Sequence, residues 1–174
     1  MINTNSMIFE TERLIIRPLQ TDDNEGFFDM MSNPNVMHPI PQETMSMDTS
    51  NLHFKKHLHA DMKSNTRVWA IDLKSGDQFI GIAAYLKNNQ NEDEIAYRLR
   101  EQFWGVGYGT EIAKGLINYG FNELCLDLVN ADVNIENEKS AKILDKFFNR
   151  DIEFYNSKDK CNDRRYKLFR DQWL

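Results

Sequence analysis

Apolar and polar residues alternate in a series of short stretches, and in four others the apolar residues return every three or four positions. Ile8 to Leu19 (IFETERLIIRPL) predicts a first strand, closed by Pro18. Thr21, Asp22 and Asp23 supply cap-type oxygens ahead of a helix carrying Phe27, Phe28 and Met31, which Asn33-Pro34 ends because the residue before proline is driven out of helical geometry. Pro34, Pro39 and Pro41 mark residues 34–47 as a loop laid over the surface. Asp48 or Thr49 caps a second helix to about Lys63, with Leu52, Lys56 and His59 on one flank. Extended patterns follow at Arg67–Leu73, Gln78–Leu86 and from Glu94, joined by the turns at 74–77 and 88–93. In the last of these, Ile95, Tyr97 and Leu99 share one side, and Glu94, Ala96 and Arg98 the other.

The period then becomes helical, with Ile112, Leu116, Ile117 and Phe121 on one face. Leu124–Val133 predicts a strand, and Asn137–Phe148 a helix with Ala141, Ile143, Leu144 and Phe147 inward. Two closing strands fall near Ile152–Tyr155 and Arg165–Trp173. The order β-α-α-β-β-β-α-β-α-β-β describes a mixed α/β domain with a three-strand meander at its middle. At 174 residues, and with no repeat or linker, the chain is expected to form one domain, 1–174.

Charge and cysteine usage narrow the class. A net charge of −6, from 27 acidic and 21 basic residues, argues against a nucleic-acid binder, whose affinity would rest on a basic patch. The basic residues near the end (Lys158, Lys160, Arg164, Arg165, Lys167 and Arg170) are interrupted by aspartates and read as a solvated strand face. Cys125 and Cys161 lack metal-type spacing and read as reduced thiols, Cys125 as a small buried hydrophobe. With no apolar run long enough to span a bilayer and no signal-peptide pattern, the expectation is a cytoplasmic protein without a membrane partner.

The chemistry concentrates between strand and helix, in Trp104-Gly105-Val106-Gly107-Tyr108-Gly109. A helix's first turn leaves N–H groups unpaired, its dipole favours an anion there, and glycines let the backbone approach it. The dinucleotide fingerprint does not fit, because Thr110 and Ile112 stand where its last glycine is required, and no P-loop string occurs. His53 and His57, four apart on a predicted helix, find no third ligand in the local pattern. No metal site is expected. Trp69, Phe79 and Tyr85 read as core.

These residues resemble the GNAT acyltransferase superfamily. The loop occupies the place of its Gln/Arg-x-x-Gly-x-Gly/Ala signature, with Trp104 where Gln or Arg is usual. The form WGxGY[AG]TE, with Thr11-Glu12-Arg13-Leu14, Arg17-Pro18-Leu19, Asn33-Pro34-Asn35-Val36 and Asn137-Glu138-Lys139-Ser140, is similar to the ribosomal-protein alanine N-acetyltransferase branch and its small-molecule relatives. The resemblance implies the GNAT fold, a mixed, mostly antiparallel sheet flanked by helices and splayed at its fourth strand. It implies acetyl-CoA as co-substrate, its pyrophosphate on the backbone of Gly105, Val106, Gly107, Tyr108, Gly109 and Thr110. The pantetheine arm would lie along Tyr97–Leu99, where a main-chain N–H polarises the thioester carbonyl, and Asn137 would contact the cofactor.

Transfer to an amine needs a proton acceptor, and Glu94 stands where many members of the family place a base. The tyrosine that often acts as general acid is replaced by Leu144. Ser140 resembles a serine found near the thiol in the N-terminal acetyltransferase branch, so Glu94 and Ser140 are the candidate catalytic residues. After Leu144 the usual glycine is missing, and Asn149 is expected to supply a left-handed residue. The acceptor is a protein N-terminus or a small amine such as a polyamine, an amino acid or an antibiotic, with the negative net charge pointing to a cationic one. His38 is a candidate substrate contact. The assembly expected is a monomer or homodimer, and the alternative reading is a CoA-binding sensor that has lost catalysis.

Overall fold

The computed structural model of the protein describes residues 7–40, 42–59 and 65–173. In chain order the elements are β1 (Phe9–Glu10), β2 (Leu14–Pro18), α1 (Asn24–Met31), α2 (Pro34–Met37), α3 (Met47–Leu58), β3 (Arg67–Leu73), β4 (Gln78–Lys87), β5 (Asp93–Leu99), α4 (Tyr108–Asn122), β6 (Leu128–Asn134), α5 (Glu138–Leu144), β7 (Asn149–Asn156) and β8 (Cys161–Phe169). The strands form one eight-stranded sheet in the order β1-β2-β3-β4-β5-β6-β8-β7. Every neighbouring pair is antiparallel except β5 and β6, which run parallel and pair only at Glu94 and Asn130. The sheet is mixed and mostly antiparallel with helices on both faces, the architecture that the resemblance implied.

Alternate residues of a strand point to opposite faces, so the sheet carries two cores. Trp69 and Ile71 of β3 pack with Ile112, Leu116 and Leu144 under α4 and α5, whereas Ala70 packs with Phe27, Met30 and Phe54 under α1 and α3. The apolar stripe on α4 lies fully in the first core, as its helical period requires. Trp69, Phe79 and Tyr85 are all buried.

Some expectations are corrected. The first strand is a hairpin of two, because the Leu14 amide donates to the Thr11 hydroxyl and the Thr11 amide to the Leu14 carbonyl, which folds the chain at Glu12. The splay therefore falls at the fifth strand. Residues 34–37 form a helical turn rather than a surface loop: the Asn33 side chain accepts from the Asn35 amide, Pro34 takes the first helical position, and Val36 and Met37 are buried. In α3 the buried positions are Ser50 and Phe54, while Leu52 is exposed. The expected continuation to Lys63 lies outside the described residues. Cys125 is exposed in a left-handed turn at φ 54°, outside β6, which begins only at Leu128.

Asn149 starts β7 instead of turning left-handed. The chain leaves α5 through tight bonds from Lys146 to Ile143 and from Phe147 to Leu144, so no left-handed residue is needed. Both closing strands begin earlier than their patterns suggested, β7 being also longer and β8 keeping its expected length, and they are joined at Lys160 with φ 54°. The basic stretch is not a solvated face throughout, since Arg165 is buried on the Asp132 carboxylate. Among the described residues no helix is long and apolar enough to cross a membrane.

Candidate active site

The site grows from the split between β5 and β6. Past Glu94 the two strands separate, and β5 keeps its hydrogen bonds only to β4. The Arg100 amide bonds to Ile80 on β4, so the amides of Tyr97 and Leu99, one pleat out of phase, face the open side. A cleft of about 910 Å³ opens there, walled by Tyr97, Trp104, the glycine loop and the start of α5. A second cavity of about 610 Å³ lies on the other side of the split, between Glu94, Asp132 and Asp163. Ile40, Tyr97, Arg98, Asn137 and Ser140 border both, so these five residues form the passage between them.

The glycine loop has the backbone that its composition requires. Gly105 and Gly107 adopt φ of 80° and 90°, a left-handed conformation that favours glycine. A Cβ on Gly105 would project into open space, so that face of the loop lies bare to the cleft. Gly107 caps the 15-residue helix α4 without a side-chain partner, which leaves the first-turn amides of Tyr108, Gly109 and Thr110 without helical acceptors. Gly109 allows close packing instead, because a Cβ there would stand 2.9 Å from Ile143 Cδ1.

Three anchors fix this loop. Trp104 Nε1 donates to the Leu99 carbonyl at 3.0 Å, tying the loop to the end of β5. Arg13 donates to the Val106 carbonyl at 3.0 Å, lies 4.5 Å over the Tyr108 ring, and holds Glu111 of α4 at 2.6 Å. Thr11 and the Arg13 amide bond the same Glu111 carboxylate, which keeps it below the ordinary glutamate range against the opposing effect of burial. Asn33 and Asn35 grip Glu101 at 2.7 and 2.8 Å, drawing α2 against the cleft. The motifs at 11–13, 33–36 and 104–111 are thus one assembly.

Glu94 sits at the inner end of the split, with Oε1 3.4 Å from the Asp132 amide. Burial first, and the Asp132 carboxylate second, push its pKa up to about 7, against the pull of that amide and of Arg165. Arg165 binds Asp132 through two nitrogens at 2.8 and 2.7 Å and so gives its guanidinium to Asp132 rather than to Glu94.

Tyr97 places its hydroxyl in the passage, buried and without a hydrogen-bond partner, beside Ser140. Burial pushes the phenol up to about 12, so it stays protonated at neutral pH. Asn137 caps α5 by accepting from the Ser140 amide at 3.2 Å, which leaves its amide N–H groups for the passage. The resemblance implies a role for the Tyr97 backbone alone. The inward side of the β5 alternation was the signal for its hydroxyl.

The histidines stand apart from this arrangement. His38 is exposed and borders neither cavity, and its neighbour Ile40 does so instead. His57 is half-buried against Phe27 rather than solvated, and burial lowers its pKa. Among the described residues no cluster of His, Cys, Asp or Glu could hold a metal ion.

A split mixed sheet with a bare glycine loop at a helix N-terminus is the layout of an acyltransferase. The family model for the acetyltransferase (GNAT) domain matches residues 13–147, and the chain belongs to that family. An uncharacterized N-acetyltransferase, p20, of Bacillus licheniformis is 30% identical over 139 residues, covering 77% of each chain. The solved GNAT-family acetyltransferase of Bacillus anthracis superposes with a TM-score of 0.78 at 22% identity, over 92% of this chain and 96% of that one. The spermidine N-acetyltransferase of Vibrio cholerae, solved in complex with CoA and spermine, gives 0.76 at 19% identity, over 92% and 98%. The chain is an N-acetyltransferase.

Proposed function

We propose that the protein moves an acetyl group from acetyl-CoA to a primary amine by direct attack within a ternary complex, in the cytoplasm. The observation that carries this reading is Glu94, a carboxylate with a pKa of about 7 at the closed end of a split whose strand backbone leads to a bare glycine loop. The loop fits a pyrophosphate, with left-handed glycines, unpaired first-turn amides and no side chain over Gly105. When bound, acetyl-CoA supplies an activated acetyl thioester. A CoA complex of the Vibrio cholerae spermidine enzyme, of the same fold, supports placing that co-substrate here.

In this reading the amides of Tyr97 and Leu99 hold the pantetheine arm as an added strand would, and one of them polarises the carbonyl. Glu94 takes a proton from the acceptor's ammonium, directly or through water, and the neutral amine so formed attacks the thioester carbonyl. The Tyr97 phenol, with Ser140 beside it, gives a proton to the departing sulfur, the task that Leu144 cannot perform. Trp104 and Asn137 position loop and passage.

Release of free thiol from acetyl-CoA against a panel of peptides, polyamines, aminoglycosides and amino acids tests the reading. Turnover with at least one amine is expected. Tight CoA binding without turnover on any amine would replace the enzyme with a CoA sensor.

A further inference from the structure

Among the described residues Arg98 is a cation without a counter-ion, held inside the acceptor side of the site. It shares with Glu94 the face of β5 that looks toward α1 and α2, four residues or about 13 Å along the strand. Its Nη1 contacts two thioethers, Met31 Sδ at 3.0 Å and Met37 Sδ at 3.4 Å, and its Nη2 reaches Gln42 Oε1 at 3.4 Å. Sulfur is a weak acceptor and the Gln42 bond is long, so most of the five N–H donors remain open. Among the described residues no carboxylate lies within ion-pair distance of Arg98. Asp159, whose charge acts on Arg98 from beyond ion-pair distance, is itself held by Asn156 at 3.0 Å. The other inward arginines are treated differently: Arg17 lies on Asp23 and Asp72, and Arg165 on Asp132. A guanidinium taken out of water without a partner is costly, and burial lowers its pKa to about 10. Arg98 borders both cavities, so a ligand in the passage can supply what the fold does not.

We infer that the acceptor is an amine bearing a carboxylate, an amino-acid-type molecule whose carboxylate docks on the Arg98 guanidinium while its amine is turned toward Glu94. This rests on the acyl-transfer reading above. The planar guanidinium fork matches a carboxylate through two parallel bonds. One cation balances one negative charge, whereas a doubly charged phosphate would leave excess negative charge beside Glu94, Asp132 and Asp163. A polyamine would bring further cations against an arginine already lacking an anion. The local charge therefore points away from a polyamine, although the net charge of the chain suggested a cationic acceptor.

The test compares leucine, leucinamide and 3-methylbutylamine, which share a side chain and an amine but differ in the carboxylate. Leucine is expected to exceed both others by about 30-fold or more in kcat/KM. In Arg98→Met, which suits the two methionines, the KM for leucine should rise by a similar factor and the preference vanish. The KM for acetyl-CoA and the melting temperature should hold, and Arg98→Lys should restore part of the preference. Equal turnover of the amine lacking a carboxylate overturns the inference, as does an Arg98→Met effect confined to acetyl-CoA. If no amine is acetylated the proposed activity fails, and calorimetry with N-acetylleucine and its amide then decides. Binding of the acid alone, lost in Arg98→Met, keeps Arg98 as a carboxylate receptor, and binding of neither overturns it.

Discussion

The Glu94 carboxylate faces the Asp132 backbone amide across the split, Oε1 to N at 3.4 Å, just beyond the single pairing of β5 with β6. One amide bond is too little to offset burial and the neighbouring Asp132 charge, so the pKa settles near 7. Glu94 therefore titrates near neutrality, where a proton acceptor for an amine is needed. We expect kcat/KM to rise with pH through about 7 and then level off. Glu94→Gln should lower kcat by about a hundredfold or more. The deficit should be largest above neutrality, because below it the wild-type base is itself protonated. A pH–rate series on both forms checks this, and an unchanged rising limb in Glu94→Gln would remove Glu94 from the reaction.

The same displacement sets a stability signature. The folded-state pKa of Glu94 lies above the ordinary value of 4.5, so between about 4.5 and 7 the folded chain binds more protons than the unfolded one. Its contribution is thus most favourable below that window and is lost as pH rises through about 7. Glu94→Gln keeps an oxygen for the Asp132 amide and removes the buried charge. It should stabilise the protein by about 3 kcal/mol at pH 8 relative to its effect at pH 4.5. Urea titrations at the two pH values measure the difference, and equal effects at both would contradict the buried charge.

Much of the site was legible because its signals are local. The alternation Ile95, Tyr97, Leu99 and the glycines of residues 105–109 each report on a single element, and the structure keeps both. What made the motifs functional was not local. Thr11 and Arg13 meet Glu111 about a hundred residues away, and no periodicity connects them. Arg98 was placed on the correct strand face with Glu94, yet only packing shows that methionines rather than a carboxylate receive it. Cys125 misled because an apolar run looks the same whether it enters a strand or turns left-handed before one.

Tyr97 offers a cleaner separation of chemistry from folding. Its hydroxyl is buried without a partner, so Tyr97→Phe removes an unsatisfied polar group. Stability should hold or rise by up to about 1 kcal/mol. Acetyl-CoA affinity should also hold, since only the backbone is proposed to bind it. If the phenol protonates the leaving sulfur, kcat should fall by roughly tenfold to a hundredfold, most clearly with acceptors whose transfer step is slow. An unchanged kcat in single-turnover experiments would assign the proton to Ser140 or to water.

Arg17 carries the opposite balance to Arg98. It bridges Asp23 and Asp72 through four bonds between 2.5 and 2.8 Å, all three residues being buried, and so locks β2 to β3 and to the start of α1. Arg17→Met leaves two carboxylates inside the fold without a cation and should cost about 3–5 kcal/mol. The loss should be smaller in mild acid, because burial already raises the pKa of Asp72 and its protonation relieves the unpaired charge. Adding Asp72→Asn should recover part of the melting temperature. A variant as stable as wild type would mean that the apolar neighbours can replace the bridge.

Gly107 tests whether the loop conformation itself makes the anion site. Its φ of 90° strains any side chain, and a Cβ there would stand 3.3 Å from Arg13 Nη2, the guanidinium that holds Val106 and Glu111. In Gly107→Ala the loop must either absorb about 1–2 kcal/mol of backbone strain or relax and turn its amides away. Either course also displaces Arg13. Gly105→Ala is the matched control, because it carries a similar φ of 80° but its Cβ meets nothing in the protein. Calorimetry with CoA should show affinity reduced about tenfold or more in Gly107→Ala. In Gly105→Ala any loss must come from strain or from the methyl group meeting the ligand itself. Dephospho-CoA and pantetheine separate the causes. If the loop amides hold the pyrophosphate, the Gly107→Ala penalty persists with dephospho-CoA and disappears with pantetheine, which has no pyrophosphate to lose. A penalty of equal size with pantetheine would move the defect from the loop to the strand backbone at Tyr97 and Leu99.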